Sequence, residues 1–406
     1  MAVKKIPAFS ILLPTRNRLE YLRLAVETVR RQDHADWEMV ISDNASDQPV
    51  GEYVASLDDP RVRYSRSETT LPVTENWSRA LGMSRGQYVL MLGDDDGLLP
   101  GYLSTMANLI HRFEEPDCIY SGAYLFAYPG VIPSMPAGFL QPYGYAEFLR
   151  SKDEPYLLDR ETAFEMVRDS MRFRLRFGYN MQFSLISRAF IDRIADRGPF
   201  FQSPFPDYYA MNVTFLMARS IVACPAPLLV IGITGKSYGF FHFNRQEQSG
   251  IEFLGGGAEA PEDPDLQEVL LPGTYINTGW LLAMETIRRN FKDMPLRVDR
   301  SRYRRLQIIH VYQEHYIGSR FSREEFRDFA KRLNRWESLL FGPPLAALLR
   351  IVRLPPRRWR WRVVDAATRF LRGVAGQLPE WSPPTIVGRY DDLLAVFNDL
   401  NGGTTD

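Results

Sequence analysis

The sequence predicts an α/β protein built on an open, doubly wound sheet with helices against it and a helical C-terminal region. Within the first hundred residues, apolar runs of strand length alternate with amphipathic helical patterns. Strand-helix-strand connections within one sheet are almost always right-handed, so this alternation is most simply an open sheet. A content of 45% hydrophobic and 24% charged residues is typical of a folded globular chain of 406 residues.

The predicted elements follow one another without long gaps. Phe9 to Leu13 is an apolar run of the kind that forms a buried parallel strand. The next helix has Leu19, Leu22, Val26 and Val29 on one stripe. Further strands are predicted over residues 37–42, 62–65 and 87–92, and a further helix over residues 73–83.

Three consecutive carboxylates, Asp94, Asp95 and Asp96, follow the strand that ends at Gly93. Adjacent carboxylates repel one another, and in isolation they would indicate a solvated acidic turn. A hard divalent cation such as Mg²⁺ or Mn²⁺, held together with a substrate phosphate, changes this balance. The loops 14–18, 43–47 and 93–96 each follow a strand, so we expect them to meet at the carboxyl edge of the sheet, where ligands bind.

Two nucleotide-binding classes are disfavoured. No Gly-x-Gly-x-x-Gly pattern follows the first strand, which argues against a dinucleotide enzyme. Gly235-Lys236-Ser237 resembles the end of a phosphate loop, but Val230 stands where that loop requires its first glycine.

The later chain is predicted to be helix-rich from about residue 101 to 199, interrupted by a Pro/Gly/aromatic loop at 128–145. The aromatic-rich stretch 120–145 could stack on acceptor sugars or pack in the core. The prolines of Ser203-Pro204-Phe205-Pro206 impose an extended approach to Asp207, which is predicted to cap the helix that follows. A strand is predicted over residues 228–233. The glycine run at 255–257 indicates a boundary, giving predicted regions 1–255, 256–345 and 346–406.

The stretch from residue 345 to 372 contains eight arginines and a single acidic residue, Asp365, interleaved with tryptophans and aliphatic residues. This composition fits a helix on an anionic membrane surface, and equally a solvated helix packed on the rest of the chain. Nucleic-acid binding is disfavoured because the net charge is zero. Two cysteines give no disulfide framework, and neither a signal peptide nor a membrane-spanning run is present. The sequence therefore predicts a cytoplasmic protein, peripheral at the inner face of the cell membrane if the first interpretation holds.

Taken together, these segments resemble the inverting family-2 glycosyltransferases, whose GT-A (Rossmann-like) fold implies an open mixed sheet flanked by helices. The resemblance is specific over roughly residues 8–100 and looser to about residue 243. The matching segments are Ile11-Leu12-Leu13-Pro14-Thr15-Arg16-Asn17-Arg18, Val40-Ile41-Ser42-Asp43-Asn44-Ala45-Ser46-Asp47, Glu75-Asn76-Trp77, Arg85-Gly86-Gln87-Tyr88-Val89-Leu90, Leu92-Gly93-Asp94-Asp95-Asp96 and Phe205-Pro206-Asp207-Tyr208-Tyr209.

The resemblance implies a nucleotide-sugar donor, with a UDP-sugar favoured, in residues 1–100 and an acceptor site in residues 101–255. It places Asp43 on the base, Asp94 on the ribose and Asp95 in support of the turn. It makes Asp96 a ligand of Mn²⁺ or Mg²⁺, with His242 or Asn244 as a further ligand, and Asp207 the general base. The other implied donor-site residues are Pro14, Thr15, Arg16, Arg18 and Asn76. Arg16 and Arg18 could equally be salt-bridge partners, and His242 a buried structural histidine.

The chemistry implied is a single displacement onto a hydroxyl of a glycan or glycolipid acceptor. A divalent ion would stabilise the leaving diphosphate, and a carboxylate would take the acceptor proton. A sugar-phosphate nucleotidyltransferase is an alternative, although the loop 14–18 lacks the glycines it requires. A non-catalytic nucleotide- or glycan-binding protein of the same fold is a second alternative.

Overall fold

The structure is a computed structural model. It describes residues 5–132, 135–143, 146–237, 240–241, 263–318, 321–352 and 385–402. The predicted ligand His242, its alternative Asn244, the glycine run at 255–257 and residues 353–384 of the Arg/Trp-rich region lie outside these ranges. The chain divides into two compact units. Unit one comprises Met1–Val167, Arg176–Gly257 and Trp381–Asp406, and unit two comprises Arg168–Leu175 and Ala258–Glu380.

Unit one is built on a mixed sheet of ten strands in the order β3-β2-β1-β4-β9-β6-β10-β5, with β7 beside β6 and β8 beside β10. The strands are β1 (Phe9–Thr15), β2 (Trp37–Asp43), β3 (Val62–Arg66), β4 (Tyr88–Met91), β5 (Gly97–Leu98), β6 (Cys118–Ala127), β7 (Phe139–Pro142), β8 (Tyr156–Leu157), β9 (Ser184–Ser187) and β10 (Ile221–Ile233). The predicted open mixed α/β sheet is confirmed.

The first four strands of this order are parallel and form the half of the sheet that the sequence predicts best. Ile11, Leu12 and Leu13 are fully buried in β1, as expected for a strand covered on both faces. The helices of unit one are α1 (Leu19–Arg30), α2 (Val50–Ser56), α3 (Val73–Met83), α4 (Tyr102–Arg112), α5 (Arg160–Met171, which continues into unit two), α6 (Arg188–Arg193) and α7 (Pro206–Met217).

The prediction that residues 101–199 are helix-rich is wrong in part, because this stretch contains the ten-residue strand β6. A central strand buried on both faces has no alternation of polar and apolar residues, and β6 also carries Ser121 and Gly122 at its middle. Tyr120 is buried and stacks on Phe183 with ring centroids 5.2 Å apart. Core packing therefore accounts for this part of the aromatic sequence.

Strand β10 is longer than predicted because it continues through the two prolines. Its pairing with β6 shifts register between Cys224 and Pro227 and again between Pro227 and Leu229. A proline has no N–H to donate and is tolerated at such irregularities.

Unit two is helical over its described residues, as predicted for the C-terminal region. Its helices are α8 (Pro264–Val269), α9 (Tyr275–Asn290), α10 (Arg300–Gln313), α11 (Arg323–Lys331) and α12 (Arg335–Val352). One of its cores joins Ile308, Val311 and Tyr312 of α10 to Leu345 and Leu349 of α12. Among the described residues, no helix is both long enough and apolar enough to cross a bilayer.

Helix α13 (Leu393–Gly402), from the predicted C-terminal extension, packs within unit one. Leu393 and Val396 share a core with Leu99, Phe126 and Val230. Helix α13 is thus part of the same unit as the sheet.

An ion triad in unit two gives a stability prediction. Glu285 is buried and accepts hydrogen bonds of 2.7 Å from both Arg288 Nε and Arg300 Nε. Burial raises the pKa of Glu285, but the bonds from Arg300 and Arg288 outweigh it and the pKa falls below its ordinary value. We expect Glu285→Gln to lower the free energy of unfolding in urea at pH 7 by about 1–3 kcal/mol.

The pH dependence follows from the sign of this shift. A carboxylate with a lowered folded pKa stabilises the fold above its unfolded pKa of about 4.3, and the contribution is lost as the pH falls through the folded value. The difference between wild type and Glu285→Gln should therefore shrink below pH ~4. If the difference in unfolding free energy stayed the same at low pH, the charge of Glu285 would not be the cause of the stabilisation.

Candidate functional site

Three polar loops meet at one edge of the sheet because β1, β2 and β4 are parallel neighbours. Thr15 and Asp43 are paired residues at the ends of β1 and β2. The segment Gly93–Asp96 follows β4. The convergence predicted for the carboxyl edge is therefore present.

A buried ion pair connects the first and third loops. Arg18 Nη1 lies 2.7 Å from Asp94 Oδ1 and 3.3 Å from Asp95 Oδ1, and all three side chains are less than 10% exposed. Thr15 Oγ1 donates a 2.7 Å hydrogen bond to Asp94 Oδ2. Burial opposes the charge on Arg18, but the attraction of Asp94 and Asp95 outweighs this and raises its pKa. Arg18 is thus in ion-pair contact with two of the three carboxylates.

Asp96 closes the acidic turn. Its Oδ2 accepts the Gly93 N–H at 2.9 Å and the Gln182 side-chain amide at 2.6 Å, and its Oδ1 accepts the Gly232 N–H at 2.8 Å. The turn-supporting contact that we expected from Asp95 is therefore made by Asp96. Burial and the neighbouring Asp95 raise the pKa of Asp96 to about 7.

Asp95 faces the end of β10 and the arginine. Its Oδ2 accepts a 3.2 Å hydrogen bond from Thr234 Oγ1. Burial raises the pKa of Asp95 to about 6, although Arg18 acts in the opposite direction. Glycine is required on the facing strand, because a Cβ at Gly232 would lie 1.9 Å from the Asp95 carbonyl oxygen.

The acidic turn offers hard oxygen ligands but no complete protein cage for a metal. Among the described residues, no three His, Cys, Asp or Glu side chains are placed to hold an ion. Mg²⁺ is commonly bound by one or two carboxylates together with substrate phosphates and waters. Three carboxylates facing one arginine leave an excess of negative charge, and Asp96 Oδ1, which accepts the Gly232 N–H, has a further lone pair to offer. This donor set fits a divalent cation that arrives with a diphosphate.

Asp43 organises the second loop from the end of β2. Its Oδ1 accepts the Ser46 N–H at 3.0 Å and its Oδ2 accepts the Tyr64 hydroxyl at 2.7 Å. Asn76 is buried and accepts a 2.8 Å bond from Ser42 Oγ. Asn76 thus fixes the residue before Asp43, while Pro14 and Arg16 are partly exposed on the first loop.

Asp207 lies in the first turn of α7 and does not cap it, so the capping prediction is wrong. The residue before the helix is Phe205, and Pro206 occupies its first turn. Since proline is well suited to that position, the helix begins two residues earlier than a cap at Asp207 would place it. Asp207 Oδ1 accepts the Tyr208 N–H at 3.0 Å. The residue remains partly exposed, and burial raises the pKa of its carboxyl to about 7.

Helix α3 holds the segment that leads to Asp207. Thr74 Oγ1 donates a 2.6 Å hydrogen bond to the Ser203 carbonyl, and the Trp77 ring meets Phe201 edge-on at 5.4 Å. Ser203 has a φ of 75°, a left-handed conformation that a serine adopts at some cost. The approach to Asp207 is therefore fixed by tertiary contacts.

Gln182 is a site residue that the sequence analysis missed. It lies in a short 3₁₀ helix, Met181–Phe183, and bonds Asp96. Three residues earlier, the Tyr179 ring contacts the Tyr208 ring at 4.5 Å. This segment thus touches both Asp96 and the neighbour of Asp207. A single glutamine in an unpredicted element carries no recognisable sequence signal.

Lys236 is a second missed residue. Its Nζ donates to the Asn17 carbonyl at 3.0 Å and to Glu20 Oε1 at 2.8 Å, so the turn after β10 is tied to the first loop. In the sequence, this lysine stands out only as part of an incomplete phosphate loop. Its position beside residues 14–18 depends on the fold.

Comparison with known proteins identifies the region that carries most of this site. The sequence profile described as "Glycosyl transferase family 2" matches residues 10–159. This region belongs to glycosyl transferase family 2. The family-2 region contains Thr15, Arg18, Asp43 and the acidic turn, and it ends before Gln182 and Asp207.

Two curated relatives resemble the family-2 region. An Escherichia coli (strain K12) protein, WcaA, named as a glycosyl transferase of colanic acid biosynthesis, is 31% identical over 137 residues, 33% of this chain and 48% of that protein. The Campylobacter jejuni "GalNAc(5)-diNAcBac-PP-undecaprenol beta-1,3-glucosyltransferase" is 34% identical over 104 residues, 25% of this chain and 34% of that enzyme. The chain thus spans about half or less of these relatives' length.

A solved structure is also similar in outline to this chain. S. aureus TarS 1-349 in complex with UDP-GlcNAc aligns over 94% of this chain and 99% of that chain, with 14% identity and a TM-score of 0.47. At this degree of similarity, no conclusion about activity follows.

Gln182 gives a prediction for the family-2 site. Gln182→Ala removes one of two bonds to Asp96 Oδ2, and we expect turnover with a nucleotide sugar to fall by about tenfold. Gln182→Glu places a second carboxylate against Asp96 and should lower turnover further. Steady-state rates that decrease from wild type to Gln182→Ala to Gln182→Glu would agree with this role. Equal rates for all three proteins would contradict it.

Proposed function

We propose that this protein transfers a sugar from a nucleoside-diphosphate donor to a hydroxyl of a glycan or glycolipid, with inversion at the anomeric carbon. The observation that carries this proposal is the buried acidic turn 94–96 at the carboxyl edge of a family-2 region. The names of the two relatives, which refer to colanic acid and to an undecaprenol-linked glycan, support such an acceptor.

The donor nucleotide is proposed to lie across the first and second loops, with UDP favoured. Asp43 supports this because each carboxylate oxygen has more than one acceptor site, so a base N–H could bond it alongside Ser46 and Tyr64. Thr15 and Arg18 hold the Asp94 carboxylate by hydrogen bonds, and Asp94 would face the ribose. Arg16 of the first loop and Lys236, whose Nζ is tied to that loop through Asn17 and Glu20, are proposed to contact the phosphates.

A divalent cation, Mn²⁺ or Mg²⁺, is proposed at the acidic turn, with Asp96 as its main protein ligand and Asp95 beside it. When bound, such an ion supplies Lewis-acid stabilisation of the departing diphosphate. His242 stays a predicted further ligand outside the described residues. Gln182, Gly93 and Gly232 fix the orientation of the Asp96 carboxylate.

Asp207 is proposed to take the proton of the acceptor hydroxyl. As that proton moves to the Asp207 carboxylate, the acceptor oxygen bonds to the anomeric carbon and the bond from that carbon to the diphosphate oxygen breaks. One displacement inverts the carbon and releases the nucleoside diphosphate. A base with a pKa of about 7 combines a useful ionised fraction with real basicity near neutral pH.

The pKa of Asp207 gives a pH prediction. Since the ionised form is the base, turnover at saturating substrate should rise with pH through about 7 and then level off. An aspartate with an ordinary pKa would give a flat profile from pH 5.5 to 8.5. The profile should be measured at constant ionic strength, and a flat result would contradict the role of Asp207.

Release of nucleoside diphosphate from a panel of nucleotide sugars with Mn²⁺ present tests the proposed function. A glycosyltransferase should show donor-dependent release that an acceptor accelerates. Pyrophosphate release from a nucleoside triphosphate and a sugar phosphate would instead identify a nucleotidyltransferase. Nucleotide binding without turnover for every donor would favour the non-catalytic alternative.

A further inference from the structure

The described residues of helix α12 (Arg335–Val352) show an exposed apolar stripe on the side opposite to their buried leucines. Trp336 is 74% exposed, and Leu339 and Leu340 are each 63% exposed, the highest values for large apolar side chains in the described part of the chain. Pro343 and Ala347 are also exposed. At about 100° per residue, these five positions fall within roughly 100° of the helix circumference.

The orientation of this helix is fixed, so the stripe cannot turn inward. Leu345 and Leu349 are buried in the core of unit two. At the start of the helix, Glu337 accepts bonds of 2.6 and 2.8 Å from Arg304 Nε and Nη2. Glu337 Oε2 also accepts the Asn334 N–H at 2.9 Å. The helix is thus held by apolar contacts and by a two-pronged ion pair on one side, leaving tryptophan and leucine on the other.

We propose that the stripe Trp336, Leu339, Leu340, Pro343 and Ala347 docks on the surface of a bilayer that contains anionic phospholipid. Charge supports this occupant, because the sequence from residue 350 to 372 contains eight arginines and one acidic residue, Asp365. Interfacial helices bind membranes by two effects. Their tryptophan and leucine side chains are buried to a shallow depth, and their basic residues are attracted to anionic headgroups.

Size argues against a second copy of the chain as the occupant. Five side chains in one stripe offer an area on the order of a few hundred Å². A protein interface of standard size takes about 800 Å² from each partner. Insertion at a lipid surface needs only a few apolar side chains, because the charges supply the remaining attraction. The proposal is independent of the glycosyltransferase activity.

Sedimentation of the full chain with vesicles tests the proposal. The vesicles contain phosphatidylcholine alone or phosphatidylcholine mixed with the anionic lipid phosphatidylglycerol, which attracts basic segments. The test variant is Trp336→Ser with Leu339→Ser and Leu340→Ser. The matched control is Ile6→Ser with Leu157→Ser and Val387→Ser, which removes three side chains of 59%, 54% and 51% exposure elsewhere.

We expect wild type and control to bind the anionic vesicles, and the α12 variant to partition at least about tenfold less, with an unchanged melting temperature. Equal binding by the α12 variant would overturn the proposal, as would absence of binding by wild type. A lower melting temperature for the α12 variant would show that the stripe is covered within the chain. Loss of a dimer in the variant, without any lipid binding by wild type, would assign the stripe to a second copy.

Discussion

Asp207→Asn is expected to lower sugar transfer by ~10²–10⁴-fold, the range that a general base contributes. The substitution keeps the size of the side chain and an oxygen that can accept the Tyr208 N–H. It removes the basicity that the reaction requires. Nucleotide binding, measured by calorimetry with UDP, should stay within about twofold of wild type, because the proposed nucleotide contacts are made by residues of the first two loops and the acidic turn.

Measurements of stability distinguish the loss of the general base from a loss of folding in the Asp207→Asn variant. Because burial raises the pKa of Asp207 above its ordinary value, ionising this group in the folded protein costs free energy, and stability falls as the pH rises through about 7. The asparagine variant escapes this cost and should be at least as stable as wild type at pH 8. Asp196→Asn, at a side chain with 76% exposure, is the matched control and should retain full activity. Transfer by Asp207→Asn at the wild-type rate would exclude Asp207 as the base.

Arg18→Met is expected to be the most destabilising substitution at the site. It leaves Asp94 and Asp95 buried without the cation that they share. Removing one partner of a buried ion pair costs about 3–5 kcal/mol. Chemical denaturation should show this loss, and affinity for UDP should fall with it because Asp94 loses one of its two positioning bonds.

A second substitution tests whether the charge is the cause. Asp94→Asn in the Arg18→Met background removes one uncompensated carboxylate and should restore part of the lost stability. Arg16→Met, on the same loop but partly exposed, should change stability by no more than about 0.5 kcal/mol. Equal stability of Arg18→Met and wild type would show that the ion pair contributes nothing to folding.

The parallel half of the sheet was predictable from sequence because its signals are local. The apolar run of β1, the polar loop that follows it and the helix over residues 73–83 each reflect their own residues, and α3 has the predicted bounds. Strand β6 was not predictable in the same way, because a strand buried on both faces lacks alternation and its small and aromatic residues are stabilised by distant partners such as Phe183.

The residues of the site likewise divide into those that could be predicted from sequence and those that could not. The acidic turn and Asp43 follow predicted strands, so their convergence could be expected from topology. Gln182 and Lys236 could not be found, because each reaches its partner over a long separation in sequence: Asp96 for Gln182 and Glu20 for Lys236. Arg18 was found, but its burial between two carboxylates depends on the packing of the loops.

The most direct measurement is a crystal structure of the full chain with UDP and Mn²⁺. We expect the uracil ring beside Asp43, the ribose at Asp94 and the diphosphate at the acidic turn, with anomalous signal from manganese near Asp96. Ordered UDP at any other surface of the chain, with the loops 14–18, 43–47 and 93–96 free of nucleotide, would contradict it.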